Sequence, residues 1–200
     1  AHQNNIDEIE RIMARAGNKN VILVGQGGVG KKTSVLGLAR RVLLGKTLFP
    51  LVHKKVFEID ISAILNNNTG ENLIRAINEA INAGNIILYF DSVARLFDRD
   101  RTIGAVDASS ALITAFRSNS IQIIATETPE NWTKMVNSNP ELDEIFESIS
   151  ITEPTKNEVV EILTDICPNI ESRNNVLFSY QAIRAIYDIA NRYLANQSFP

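Results

Sequence analysis

Largely apolar segments recur along the first three quarters of the chain, at residues 21–24, 56–61, 86–90 and 121–125, with a shorter one at 149–151. Their length and β-branched content suit strands buried in a parallel sheet. Between them the apolar positions change period. Val35, Leu38, Ala39, Val42 and Leu43 recur at helical spacing, as do Leu73, Ile74, Ile77, Ala80 and Ile81, each set making one stripe of an amphipathic helix. Ile6, Ile9, Ile12 and Met13 predict a short helix before the first strand, and a further helix is expected around residues 132–136. Asp107 reads as the N-cap of a helix running through Ala111, Leu112 and Ala115. The polar run 66–70 (Asn-Asn-Asn-Thr-Gly) reads as a loop. Strands alternating with helices imply an α/β fold, a parallel sheet with helices on both faces. After Pro154 the pattern becomes helical only, at 158–166 and 182–194, with Ile183, Ile186, Ala190, Tyr193 and Leu194 on one face. The expected division is a nucleotide-binding core over residues 1–152 and a partial helical lid over 153–200, the chain reading as a piece of a longer polypeptide.

The first strand runs into Gly25, Gln26, Gly27, Gly28, Val29, Gly30 and Lys31, and a helical stripe follows. Strand, glycine-rich loop, lysine and helix are the parts of a P-loop, in which backbone N–H groups surround a phosphate and the lysine reaches the terminal phosphates. Residues 25–33, with Lys32 and Thr33 included, are the candidate nucleotide-binding set. One position departs from the motif. A hydroxyl after the lysine normally ligates Mg²⁺, but Lys32 stands there and Thr33 comes one residue late, about 100° further round the helix. Any binding of ATP or ADP is therefore expected to be weak and to gain little from Mg²⁺, with Lys32 pairing with an acid in the metal's stead.

That acid is expected to be Asp91, which ends the run Ile86-Ile87-Leu88-Tyr89-Phe90. An aspartate at the end of a buried strand is where P-loop proteins hold Mg²⁺, so Asp91 is the one candidate metal ligand. Hydrolytic versions of the motif place a glutamate next; here it is Ser92, a poor general base at neutral pH.

Composition narrows the class. At 44% hydrophobic and 22% charged residues over 200, the chain has ample material for a core. A net charge of −3 leaves no electrostatic footprint for nucleic acid, and no apolar run approaches the roughly 20 residues that span a bilayer. The single cysteine, Cys167, rules out an internal disulfide and suits a reducing, cytoplasmic setting. His2 and His53 are too far apart to suggest a metal site and read as surface residues.

The order of motifs resembles the first ATPase module of Clp-type ring unfoldases and disaggregases, a branch of the AAA+ superfamily. The resemblance is carried by residues 7–11 (Asp-Glu-Ile-Glu-Arg), the P-loop, residues 84–91, residues 104–108 (Gly-Ala-Val-Asp-Ala), Glu153-Pro154 and Asn191-Arg192-Tyr193. It implies a five-stranded parallel sheet with a helical lid, assembled in hexameric rings that thread protein clients through a pore. It also exposes departures. The family's catalytic glutamate corresponds to Ser92, and its sensor threonine to Glu127, a carboxylate that should repel a γ-phosphate. Its paired interface arginines correspond to Glu144 and Ile145. The aromatic pore residue falls within residues 66–68, and the segment that covers adenine is missing or altered at residues 1–6. A positioned acid or base contributes roughly 10²–10⁴-fold, and an arginine finger roughly 10³–10⁵-fold, so either loss alone reduces turnover by about a hundredfold or more.

The expectation is a Clp-like module that binds ATP or ADP weakly or not at all and hydrolyses poorly. Its partners would be other regions of the same polypeptide, an AAA+ ring of like or unlike subunits, and protein clients, without nucleic acid or membrane. The alternative is an active ATPase motor that borrows groups such as Arg95, Arg99 or Arg101. A small-molecule kinase would want an arginine-rich lid, and residues 154–200 offer only Arg173, Arg184 and Arg192.

Overall fold

In the computed structural model, residues 3–17, 20–66, 70–97, 106–118 and 120–193 are described. Helix α1 (Gln3–Met13) precedes strand β1 (Asn20–Val24), which leads through the glycine loop into α2 (Lys31–Leu43). Strand β2 (Lys55–Ile59), helices α3 (Ile61–Asn66) and α4 (Gly70–Ala83), and strand β3 (Ile86–Phe90) follow. Next come α5 (Val106–Arg117), β4 (Gln122–Glu127), α6 (Pro129–Ser138), α7 (Glu141–Ile145) and β5 (Phe146–Ser150). The chain then forms α8 (Lys156–Asn174) and α9 (Tyr180–Tyr193).

The strands make one five-stranded parallel sheet in the order β2-β3-β4-β1-β5. Successive side chains of a strand face opposite sides, and the core divides accordingly. Val21, Leu23, Ile87, Tyr89 and Ile124 pack with α1 and α2 on one face. Ile22, Leu88, Phe90, Ile123 and Ala125 pack with α4 to α7 on the other. There Phe116 lies 5.7 Å from Phe90 and 5.8 Å from Phe146, centroid to centroid. Buried Asn20 ties the layers together, donating to the Phe116 carbonyl and accepting from the Ile123 amide, both at 3.0 Å.

Helices α8 and α9 pack on each other around Val160, Cys167 and Ile183. A capping box starts α8, with the Thr155 hydroxyl accepting from the Glu158 amide and the Glu158 carboxylate accepting from the Thr155 amide.

Several elements differ from the sequence reading. β2 stops at Ile59, and Ile61 opens α3, its side chain buried under α4 and β3. Asn66 closes α3 rather than starting a loop, and residues 67–69 lie outside the described set. Asp107 is the second residue of α5, not its cap. β5 begins at Phe146; its two buried apolar residues are three apart, Phe146 on the α4–α7 face and Ile149 on the α1–α2 face, with polar residues between, so no continuous apolar run marks it. Pro168 lies inside α8, which continues to Asn174 despite the lost donor. Leu43 is 85% exposed; at about 100° per residue it sits roughly 80° from Val35, off the buried stripe. On α9 only Ile183 is buried, and Tyr193 is 74% exposed. Leu194 lies outside the described residues, as do His2, Arg99 and Arg101; His53 is exposed.

Candidate nucleotide site

The glycine loop works by what it lacks. A Cβ on Gly25 would lie 2.4 Å from the Ile151 carbonyl oxygen, so only glycine lets β1 leave the sheet there. Gly28 and Gly30 take φ of 86° and 90°, conformations that strain any other residue. Gly30 is the N-cap of α2 and offers no side chain to that helix's first N–H groups, which are left to a ligand or solvent. Val29 points the other way, buried in the α1–α2 core, so its part in binding would be its backbone alone. Gln26 is exposed and donates to Glu130 at 3.1 Å.

Most of the sequence-predicted residues, though not Gly25, Gln26 or Val29, line one cavity of about 360 Å³. One wall is Gly27, Gly28, Gly30, Lys31, Lys32 and Thr33; the other is the strand ends, Asp91, Ser92, Glu127 and Thr128. Lys31 folds over the loop, donating to the carbonyls of Gly25 (2.5 Å) and Gln26 (2.8 Å). Burial lowers its pKa, opposed by the nearby charges of Glu127 and Asp91. The loop's own carbonyls thus hold an ammonium that a phosphate could take over.

Lys32 does pair with acid, but its nearest partner is Glu58 of β2, at 2.5 Å. Asp91, the expected partner, lies 3.9 Å away. The hydrogen bond to Glu58 raises the Lys32 pKa. Asp91 is held instead by the Thr126 hydroxyl, which donates to Oδ1 at 2.6 Å and accepts from the Ser92 amide at 3.2 Å. The donor set beside Asp91 is therefore two carboxylates with an ammonium between them and no hydroxyl next to Lys31, which does not fit Mg²⁺. Among the described residues no group of three acidic, histidine or cysteine side chains could hold a metal ion. Ser92 adopts φ 56°, ψ 61°, left-handed for a non-glycine residue.

Glu127 was expected to face a terminal phosphate, and it does line the cavity. What the sequence did not disclose is how firmly it is held. Its Oε2 accepts from the Ala94 amide at 2.8 Å; its Oε1 accepts from the Thr128 amide at 2.9 Å and Asn131 Nδ2 at 3.0 Å. Glu58 was also missed, because nothing in an exposed β2 position signals which strand its neighbour will be.

Of the acids in and beside α7, Glu141 is bound by Arg117 at 2.6 Å and Glu147 by Arg15 at 2.9 Å, which leaves Asp143 and Glu144 exposed. Arg95 lines a second hollow beside Asp91 and donates to the Ser62 hydroxyl at 3.1 Å.

A five-stranded parallel sheet with a glycine loop after its fourth strand in spatial order, and an aspartate ending a strand two places away, define a P-loop α/β module. No family model matches the chain. Curated relatives do. The chaperone protein ClpB of Helicobacter hepaticus is 30% identical over 98% of this chain and 23% of its own length. ClpB of Aquifex aeolicus is 29% identical over 98% of the chain and 20% of its own length. The ATP-binding subunit ClpC of Staphylococcus epidermidis is 26% identical over 98% and 24% respectively. The chain thus spans about a fifth to a quarter of these relatives. Among solved structures, the S. cerevisiae Hsp104–ADP complex superposes with a TM-score of 0.89 at 23% identity, over 100% of this chain and 29% of that one. Hsp104 with ATPγS and casein gives 0.85 at 23%, covering 100% and 35%. The fold is that of an AAA+ module, and the sequence relatives make it one of the Clp type.

Proposed function

We propose that this module holds adenine nucleotide weakly, without turning it over efficiently, and serves structurally in a larger Clp-type unfoldase or chaperone assembly. One observation supports the reading: the Lys32 ammonium stands beside the strand-end aspartate that would hold a metal, 2.5 Å from Glu58 and 3.9 Å from Asp91. The loop residues 25–33 would hold the phosphates through backbone N–H groups, with Lys31 moving from the Gly25 and Gln26 carbonyls onto them. Nucleotide supplies the phosphate charge that the loop is shaped to receive. Activation of water would fall to Ser92, which has no basicity to offer at neutral pH, and no arginine stands at positions 144 and 145. The sheet of residues up to 152 forms the binding core in this reading, with α8 and α9 as part of a lid, and other subunits or regions as partners in a ring.

The test is steady-state ATPase activity of the chain against a Lys31→Ala control. Equal rates are expected. A Lys31-dependent turnover of about one per minute or more would overturn the reading in favour of an active motor.

A further inference from the structure

We infer that the site is selective for a nucleoside diphosphate over the triphosphate, and that Glu127 makes it so; this rests on the nucleotide-binding reading above. The argument begins with charge. The cavity wall carries two cations, Lys31 and Lys32, and two carboxylates, Asp91 and Glu127. Lys32 is moreover engaged by Glu58 from outside that wall. The surroundings of a bound phosphate chain therefore hold no surplus of positive charge, and an ordinary P-loop's metal cannot add one where an ammonium stands.

Position decides which phosphate meets the deficit. The glycine loop and the start of α2 cradle the inner phosphates. A further phosphate has to extend toward the opposite wall, formed by Asp91, Ser92, Glu127 and Thr128. Glu127 cannot retreat from it. The residue is 3% exposed, and both oxygens are taken up by donors on two different segments, Ala94 on one side and Thr128 and Asn131 on the other. All three partners are N–H groups, which suits a carboxylate acting only as acceptor. None of them carries a formal charge, so the donors orient the anion without cancelling it. Its closest compensation in the cavity is Lys31, which a diphosphate already claims. A terminal phosphate thus meets a fixed like charge on the wall it extends toward. A diphosphate ends before reaching it.

The experiment is calorimetric titration of the chain with ADP and with ATP, in EDTA and at low salt, for the natural sequence and Glu127→Gln. ADP is expected to bind at least about tenfold more tightly than ATP, with the ratio falling below about threefold in Glu127→Gln. Because that variant could disturb the Ala94 and Asn131 contacts, the natural chain is also titrated at high salt, where a Coulombic preference shrinks. Equal binding of the two nucleotides, tighter ATP, or a preference unmoved by both salt and Glu127→Gln overturns the inference while leaving weak nucleotide binding in place. Absence of binding by either nucleotide overturns both.

Discussion

Two buried glutamates, one at each end of the module, accept three hydrogen bonds apiece and do opposite things. Glu10 of α1, 7% exposed, accepts from Arg41 at 2.7 Å, the Thr47 hydroxyl at 2.8 Å and the Leu48 amide at 2.5 Å. Glu127 of β4 accepts from two backbone amides and an asparagine. The difference is the cation. Arg41 cancels the charge of Glu10 where it lies, joining α1 to α2 and to the turn after it, and the same Nη1 also donates to Asp7 at 2.7 Å. Glu127 is held in place by dipoles, so its charge is stationed rather than neutralised, and it lines the cavity beside the glycine loop. A buried acid with an ion partner is architecture; one with only neutral partners keeps a field to exert on whatever arrives.

That contrast can be broken most forcefully at Glu10. Glu10→Ala leaves Arg41 with only a half-exposed partner and strands the Thr47 and Leu48 donors. It is expected to lower stability by about 3 kcal/mol in urea unfolding. A loss below about 1 kcal/mol would show the network to be dispensable. Glu127→Gln, by the same measurement, is expected to cost only about 1 kcal/mol, since no cation is hydrogen-bonded to it. If it costs as much as Glu10→Ala, the two acids do not differ in the way described.

The metal position gives a change in affinity rather than stability. For the natural chain, Mg²⁺ is expected to alter nucleotide affinity by less than about threefold. In Lys32→Thr, which restores a hydroxyl and frees Asp91 and Glu58, it is expected to tighten binding about tenfold. Calorimetry in EDTA and in millimolar Mg²⁺ reads both, and a tenfold Mg²⁺ effect in the natural chain contradicts the role given to Lys32. The smallest effect is expected at Tyr89, whose buried hydroxyl has no hydrogen-bond partner among the described residues and whose pKa burial pushes up. Tyr89→Phe should change stability by no more than about 0.5 kcal/mol. A clear loss would reveal a bond to the neighbouring Thr126 or Asp91.

The parts of this molecule that could be read along the chain share one property: each is set by near neighbours in sequence. β1, β3 and β4 announce themselves as apolar runs, and α4 as an apolar stripe, because burial on both faces or on one stripe leaves a periodic mark. Edge strand β5 leaves a weaker mark, an apolar signal only from residue 149 although the strand begins at Phe146. The α9 stripe is legible as a pattern, yet burial does not follow from pattern alone; of the α9 residues only Ile183 is buried.

What the sequence determined by itself is the glycine loop and its departure from the P-loop pattern. The order Gly25 to Lys31 dictates positive-φ turns and a free helix end, and Lys32 in the next position removes the hydroxyl, whatever surrounds it. What only the tertiary structure decided is which charges gather there. Glu58 reaches Lys32 because β2 pairs with β3, bringing Glu58 beside Tyr89 and so near the end of the strand that carries Asp91. Glu127 acquires its hold from Ala94, 33 residues earlier, because β4 lies between β3 and β1. Sheet order is set by the global competition to bury apolar faces, and a residue's electrostatic partners follow from that order rather than from its neighbours along the chain.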